Sequence, residues 1–168
     1  MSDTLEQTDA LKLVQEVRDR MAIEELFVRY YSGLGSGDPD AFGGFFAENP
    51  ELDVNGIVCR STEEIRTMYA EVDADKPNLI GQFRMMLTNL IIEVDGDTAR
   101  AQMLWTQTLN ETIKSVPRFI EQGREYDLLV KQGGRWKIKK RVVIADSNLP
   151  DMMDKTYTPR ADYQMSSL

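Results

Sequence analysis

The sequence predicts an α+β fold in which one curved antiparallel sheet wraps around a long N-terminal helix, a cone-shaped α+β barrel. Three observations carry this expectation. Apolar residues between Leu13 and Leu34 recur at helical spacing. Two glycine-centred turns join long runs of strand-forming residues in the second half of the chain. The helical segments precede those long strands, an order that suits helices packed on one side of an antiparallel sheet. A sheet curved in this way, with a helix across its open side, encloses a concave space of the kind that small-molecule sites favour.

Residues 1–12 are polar and acidic and read as a loose arm or a short helix. From Leu13 to Leu34 the positions Val17, Met21, Ile23, Leu26, Phe27, Tyr30, Tyr31 and Leu34 form the apolar side of one amphipathic helix. Gly35-Ser36-Gly37 ends it. Asp38 is placed to cap a short second helix, with Pro39 at its first position and Phe42, Phe45 and Phe46 following. Glu51 to Asn55 reads as a short strand, Gly56 as a turn and Ile57 to Arg60 as the return. Ser61 then caps a third helix through about Glu71, with Glu64 completing a capping box. Asp73 to Asn78 is a polar loop containing Pro77. Strands Gly81 to Val94 and Thr98 to Asn110 flank Asp95-Gly96-Asp97, and Thr112 to Pro117 is a connection. The last hairpin joins Arg124 to Lys131 with Arg135 to Ala145 through Gln132-Gly133-Gly134. The barrel domain therefore covers residues 13–146. Residues 147–168 form a tail that closes the cavity, reaches a neighbouring subunit or is disordered.

Composition narrows the function. With 168 residues, 42% hydrophobic and 29% charged, the chain fits one domain with a real core. A formal net charge of -8 disfavours nucleic-acid binding, which needs a basic field to displace phosphate counterions. The single cysteine, Cys59, forms no internal disulfide, and no signal peptide or long apolar run opens the chain. A soluble, cytoplasmic protein with no membrane contact is expected. The absence of histidine removes the commonest general base and the commonest ligand for zinc or non-haem iron. No loop has the ligand spacing for calcium or magnesium. Chemistry without a metal or cofactor, or no chemistry, is the expectation.

In the last strand one parity holds Trp136, Ile138, Lys140 and Val142, and the other Lys137, Lys139, Arg141 and Val143. One face is largely apolar and the other strongly basic. The basic face is a solvated or edge-protecting surface, or it looks into the cavity. Trp105 and Trp136 fit a core, as do Tyr30 and Tyr31 in the helix stripe. Met85 and Met103 would make an adaptable apolar lining.

Four segments, MAIEELFVRYYSGLGSGDPDAFGGFF at Met21 to Phe46, LDVNG at Leu52 to Gly56, IEVDGDTARA at Ile92 to Ala101 and GREYDLLVKQGGRWKIKKRVV at Gly123 to Val143, resemble the SnoaL-like branch of the nuclear transport factor 2-like superfamily. The likeness runs from about Leu13 to Asp146. That superfamily includes polyketide cyclases, scytalone dehydratase, ketosteroid isomerase, limonene epoxide hydrolase, lyases of lignin-derived aromatics, dioxygenase β-subunits and non-catalytic proteins. The resemblance places the oxyanion-donating tyrosine of ketosteroid isomerase at Tyr30, its second donor at Tyr126 and its base at Val54, with Asp53 adjacent. The two histidines of scytalone dehydratase have no counterpart, since Arg84, Met85 and Leu109 stand near those positions. The Asp-Arg-Asp array of limonene epoxide hydrolase has no match on Leu104 to Leu109, although its Tyr-x-Asn pair resembles Asp53-Val54-Asn55.

The resemblance also implies which strand faces look inward: those of Tyr126, of Lys139 and Arg141, and of Met103, Trp105 and Gln107. The implied cavity gathers Trp105, Gln107, Arg124, Tyr126, Lys139 and Arg141, with Tyr30 or Tyr31 from the helix and Asp53 and Asn55 at its side. In such a place desolvation and Arg141 would both disfavour the ammonium of Lys139, making it a base, with Asp53 the other candidate. Tyr126, Tyr30 and Arg141 would hold an enolate or phenolate oxygen, and Trp105 would stack on an aromatic ring. Tyr31, Asn55, Met85, Met103, Gln107 and Arg124 would contact the substrate.

These roles describe a cofactor-independent lyase or dehydratase acting by proton transfer on a small hydroxylated aromatic or polycyclic substrate, with loss of water or formaldehyde. An isomerase or polyketide-type cyclase would use the same donors. A non-catalytic ligand-binding or assembly module would instead bury Asp53 and Arg141 as a pair. A homodimer or homotrimer is what the resemblance implies, with Trp136, Ile138 and Val142 on an outer sheet face that wants cover.

Overall fold

The computed structural model describes residues 2–33, 42–74, 82–147, 158–161 and 163–168. In chain order the elements are helix α1 (Ser2–Gly33), a 3-10 turn (Gly43–Phe45), strands β1 (Phe46–Val54) and β2 (Ile57–Cys59), helix α2 (Thr62–Ala74), strands β3 (Gln82–Asp95), β4 (Thr98–Asn110), β5 (Arg118–Gln132) and β6 (Arg135–Ser147), and a last 3-10 turn (Met165–Ser167). The expected helix at Asp38 and most of the Asp73 to Asn78 loop lie outside the described residues. Among the described residues no helix is long and apolar enough to cross a membrane.

Turn chemistry sets the strand pairing. Gly133 and Gly134 both take positive φ, +60° and +74°, which a two-residue hairpin turn between twisted strands requires. Asn55 and Gly56 do the same at +56° and +92°, so Asn55 belongs to the β1–β2 turn and not to the strand. The sheet order is β2-β1-β6-β5-β4-β3. All neighbours are antiparallel except β1 and β6, which run parallel, so the sheet is mixed where an antiparallel one was expected. No hairpin joins β1 to β6, and their relative direction is therefore free of that constraint.

β1 is irregular between Phe46 and Glu51, where its register on β6 shifts and Asn49 takes φ +49°. Its carbonyls find partners in the basic residues of β6. Lys139 Nζ donates to the carbonyls of Glu48 and Asn49, each at 2.8 Å, Lys137 Nζ donates to the carbonyl of Gly44, and Lys140 Nζ meets Glu51 Oε1 at 3.2 Å. The Lys139 ammonium thus satisfies two backbone oxygens where the β1–β6 register breaks.

β6 also carries a bulge. Leu128 of β5 pairs with Lys140 while Leu129 pairs with Ile138, so β6 holds one extra residue at Lys139. The bulge reverses the strand's parity. Trp136 and Ile138 therefore lie in the core on the same inner face as Arg141, while Val142 and Ile144 turn outward. The expectation that Trp136 and Ile138 cover the outside is corrected by this one inserted residue.

α1 begins at Ser2, so the expected arm is continuous with the helix. Ile23, Leu26, Phe27 and Tyr30 are buried in one cluster with Leu52, Met103, Leu129, Trp136 and Ile138 of the sheet and Ile65 of α2. Val17 and Met21, expected in that stripe, are exposed. A polar tie holds the helix above them. Trp136 Nε1 and Lys131 Nζ donate to the two oxygens of Asp19 at 3.0 and 2.9 Å, and Gln15 Nε2 adds a third bond at 3.1 Å. Burial alone would raise Asp19, but these bonds outweigh it and hold the carboxyl below its ordinary value. α2 is capped as its sequence implies, by Ser61 Oγ accepting from Glu64 N at 3.1 Å, while the Glu64 carboxylate reaches one residue further to Arg60 N at 2.6 Å.

The described end of the tail lies on the outer face of its own sheet. Tyr163 packs on Tyr126 with ring centroids 5.0 Å apart and on Val142 and Ile144, with Met165 and Leu168 beside it. Tyr126 Oη donates to the carbonyl of Tyr163 at 3.1 Å, and Arg124 Nη2 to that of Arg160 at 2.7 Å.

Candidate active site

Strand alternation decides what stands inside the cone. Glu125, Asp127 and Leu129 share one parity of β5, and Leu129 is fixed in the core, so the two carboxyls look inward with it. Asp127 sits directly opposite Arg141 in the β5–β6 ladder. Arg141 Nε donates to Asp127 Oδ1 at 2.7 Å, and Nη2 lies 3.0 Å from Glu125 Oε1 as an ion-pair contact whose N–H does not align with the oxygen. All three residues are 0% exposed.

Aromatic rings of α1 enclose the guanidinium. Its carbon lies 4.1 Å from the Tyr30 ring centroid, 5.5 Å from that of Phe27 and 5.6 Å from that of Tyr31. Tyr31 Oη donates to Glu125 Oε2 in a short hydrogen bond. Tyr30 Oη and the Tyr69 hydroxyl of α2 form another. The helical spacing that buries Phe27, Tyr30 and Tyr31 thus delivers three rings to one cation.

The electrostatics follow from burial. Desolvation pushes the Glu125 carboxyl well above its ordinary value; Arg141 works against this and the neighbouring Asp127 adds to it. Burial likewise pushes Tyr30 and Tyr69 up, so both hydroxyls stay protonated donors. For Arg141 burial acts downward, but Asp127 and Glu125 outweigh it and hold the guanidinium firmly charged. The guanidinium therefore faces two buried carboxyls, and of these Glu125 is the one that desolvation pushes toward its neutral form. Glu125 Oε1, Asp127 Oδ2 and Arg141 Nη1 and Nη2 have no hydrogen-bond partner among the described residues. Such a set holds two carboxyls side by side on one guanidinium, with polar atoms to spare.

The residues singled out from sequence divide between the two faces of the sheet. Tyr30, Tyr31 and Arg141 meet in the cluster. Met103 and Trp105 lie on the inner face of β4, and Trp105 Nε1 donates to the carbonyl of Arg124 at 3.3 Å. The indole lies against Gly123, where a Cβ would come within 2.6 Å of the ring and 2.1 Å of the Ile144 carbonyl oxygen, so only glycine fits. Met85, Gln107 and Glu121 form one cross-strand row further along the sheet, where burial raises Glu121 to about 7.

Tyr126 and Arg124 stand on the outer face, which corrects their expected inward orientation, and Asp53, expected at the side of the cavity, stands on the outer face with them. Tyr126 packs under Tyr163, and Arg124 grips Asp146 through Nε and Nη2. Asp53 accepts from Gly56 N at 2.8 Å and meets Arg160 Nη1 at 3.5 Å, so its cationic neighbour is Arg160 and not Arg141. Asn55 Oδ1 accepts from Ala145 N at 2.8 Å, pinning the β1–β2 turn to β6. Lys139 is engaged by backbone carbonyls. Sequence reasoning missed Glu125, Asp127 and Tyr69. The available signal was two acids at alternate positions of β5 facing one arginine of the paired strand.

The sequence model of the SnoaL-like domain family matches residues 15–142. No curated protein matches the chain. Among solved structures, a single-residue variant of Rv3472, a protein of unknown function from Mycobacterium tuberculosis, is 24% identical with a TM-score of 0.69, covering 83% of this chain and 78% of that one. A Novosphingobium aromaticivorans protein provisionally named a scytalone dehydratase is 16% identical with a TM-score of 0.69, covering 89% and 97%. The β subunit of a provisionally assigned aromatic-ring-hydroxylating dioxygenase from the same organism is 19% identical with a TM-score of 0.64, covering 81% and 94%. At these identities the likenesses show the fold alone.

Proposed function

Because the chain belongs to the SnoaL-like domain family, we propose that it is a cofactor-independent lyase or dehydratase, acting by proton transfer on a small hydroxylated aromatic or polycyclic substrate inside the cone. The observation that carries this reading is Glu125, a fully buried carboxyl that desolvation pushes toward its neutral form beside the Arg141–Asp127 pair and that Tyr31 bonds. In a dehydration, the C–H and C–O bonds of the substrate break together. Asp127 takes the carbon-bound proton and Glu125 gives its proton to the departing hydroxyl, so the cluster keeps one acid proton throughout and water leaves. Arg141 through Nη1, which has no partner among the described residues, and the Tyr30 hydroxyl stabilise negative charge on an adjacent phenol or carbonyl oxygen, while Tyr31 holds Glu125 in place. The base moves in this reading from Lys139 or Asp53, which the fold engages elsewhere, to the carboxylate pair on β5.

The test is incubation with hydroxylated aromatics, diaryl diols and polyketide-like ketones, with products read by mass. Loss of water or formaldehyde, abolished in folded Glu125→Gln, is the expected result. Unchanged mass with altered retention would move the reaction to isomerisation or cyclisation, and conversion that survives Glu125→Gln would remove the proposal. One observation favours a second reading, a non-catalytic module: Glu125, Asp127 and Arg141 are all fully enclosed, as a purely structural ion cluster would be. That reading predicts ligands released chemically unchanged.

A further inference from the structure

Six of the thirteen exposed large apolar side chains among the described residues lie on α1: Leu11, Leu13, Val14, Val17, Met21 and Val28. At about 100° per residue, Leu13, Val14, Val17, Met21 and Val28, with the exposed Ala10, fall within an arc of about 100° that one charged residue, Glu24, interrupts. Asp19, Ile23, Leu26, Phe27 and Tyr30 occupy the opposite side, against the sheet. The helix is therefore apolar on two faces, and the barrel covers only one. Leu13 and Met21 remain 62% and 64% exposed. A contiguous stripe of this kind on a water-facing helix marks an interaction surface.

The remainder of the fold narrows what covers it. On the outer sheet face, where a second copy was expected to dock, Tyr163, Met165 and Leu168 of the same chain already cover β5 and β6, and the exposed Met86, Ile91 and Leu104 are scattered over β3 and β4. The charges beside the stripe are ordered along the helix. Arg18 and Arg20 precede Met21 and Glu24 and Glu25 follow it; all four are exposed, and Arg20 and Glu25 also make surface ion pairs along the helix, with Glu16 at 3.2 Å and Arg29 at 2.6 Å, which exposed pairs can exchange at little cost. A second α1 running antiparallel, with the two-fold axis near Met21, brings Arg18 and Arg20 of each copy to Glu24 and Glu25 of the other. The same operation sets Val14 of one copy against Val28 of the other. A parallel arrangement would set like charges together, so the sequence of signs selects the antiparallel one.

We propose that the outward stripe of α1, from Ala10 to Val28, is a homodimer interface in which two copies of this chain pack their N-terminal helices antiparallel about Met21. The interface leaves the concave side of each barrel free, since the buried side of α1 stays on its own sheet. It is independent of the reaction proposed above.

Light scattering on the eluted full-length chain tests this. The expected mass is that of two 19.2 kDa chains. Met21→Glu, at a position that supports no core packing, is expected to give the mass of one chain with an unchanged circular dichroism spectrum. Val17→Lys gives the same result by a second route. Arg18→Glu with Arg20→Glu is expected to weaken the dimer by setting acid against acid, and adding Glu24→Arg and Glu25→Arg restores it. A wild-type chain of single mass overturns the proposal, whatever else the stripe binds. So does a dimer that survives both Met21→Glu and Val17→Lys, or one that Leu104→Glu on the outer sheet face disrupts while those two variants do not. Failure of the fourfold charge exchange to restore the dimer overturns the antiparallel arrangement.

Discussion

Replacing Glu125 by glutamine separates a neutral buried acid from an ionised one. The amide keeps an oxygen for the Tyr31 hydroxyl and nearly the same volume. If Glu125 is neutral in the folded protein, the change exchanges one uncharged hydrogen-bonding group for another and costs about 1 kcal/mol or less at neutral pH. If it is ionised and paired with Arg141, removing that charge breaks a buried ion pair and costs about 3–5 kcal/mol. The pH dependence gives a second reading of the same group. Glu125 is raised by burial, so the folded state holds its proton where the unfolded chain, at about 4.3, has released it. Its contribution to stability is full below that unfolded value and is lost as pH rises toward the folded one, at up to about 1.4 kcal/mol per pH unit. Urea unfolding followed by circular dichroism, run from mildly acidic to alkaline buffer, is the assay. Wild type is expected to lose stability on Glu125→Gln as pH rises. The slope from Glu121, raised to about 7, is present in both proteins and cancels. A deficit of several kcal/mol in Glu125→Gln that stays constant with pH would refute the reasoning.

Three further outcomes follow from buried geometry. Arg141→Met strands the Asp127 carboxylate and is expected to destabilise by about 3–5 kcal/mol, with Asp127→Asn recovering part of the loss in the double variant; denaturant midpoints measure both. Gly123→Ala places a methyl 2.1 Å from the Ile144 carbonyl oxygen and against the Trp105 ring, so the thermal midpoint falls by the equivalent of about 1–3 kcal/mol or more. Asp19 is depressed by its bonds to Lys131, Trp136 and Gln15, so the stability it supplies is present above the unfolded value of about 3.9 and lost as pH falls through the folded one. Asp19→Asn should therefore cost about 1–3 kcal/mol near neutral pH and little in strong acid, as read by unfolding at both.

Local chemistry made most of the architecture legible. Gly133-Gly134 and Asp95-Gly96 mark turns through backbone conformation alone, and Ile23, Leu26, Phe27 and Tyr30 mark the packed side of α1 through spacing alone. The site was harder because it depends on strand parity, which a single inserted residue reverses. The bulge at Lys139 places Trp136, Ile138 and Arg141 on one face, although uninterrupted alternation separates Arg141 from the other two. The resemblance implies that Tyr126 looks inward, but it pairs with the outward Val142, and the other parity of β5, that of Glu125 and Asp127, faces the core. Only the cross-strand position of Asp127 opposite Arg141 shows that the acids neutralise a buried cation. The parallel pairing of β1 with β6, and the tail's return to Tyr126, are contacts between distant parts of the chain that no local pattern encodes.

The central claim is that proton transfer belongs to the carboxylate pair on β5 and not to the lysine of β6. The most direct measurement is the rate of conversion, on whichever panel compound the wild-type protein transforms, by folded Glu125→Gln, Asp127→Asn and Lys139→Met. The account predicts that the first two lose turnover while Lys139→Met, which gives up only its bonds to the Glu48 and Asn49 carbonyls, retains it. Turnover lost in Lys139→Met and kept in the two carboxyl variants would contradict it.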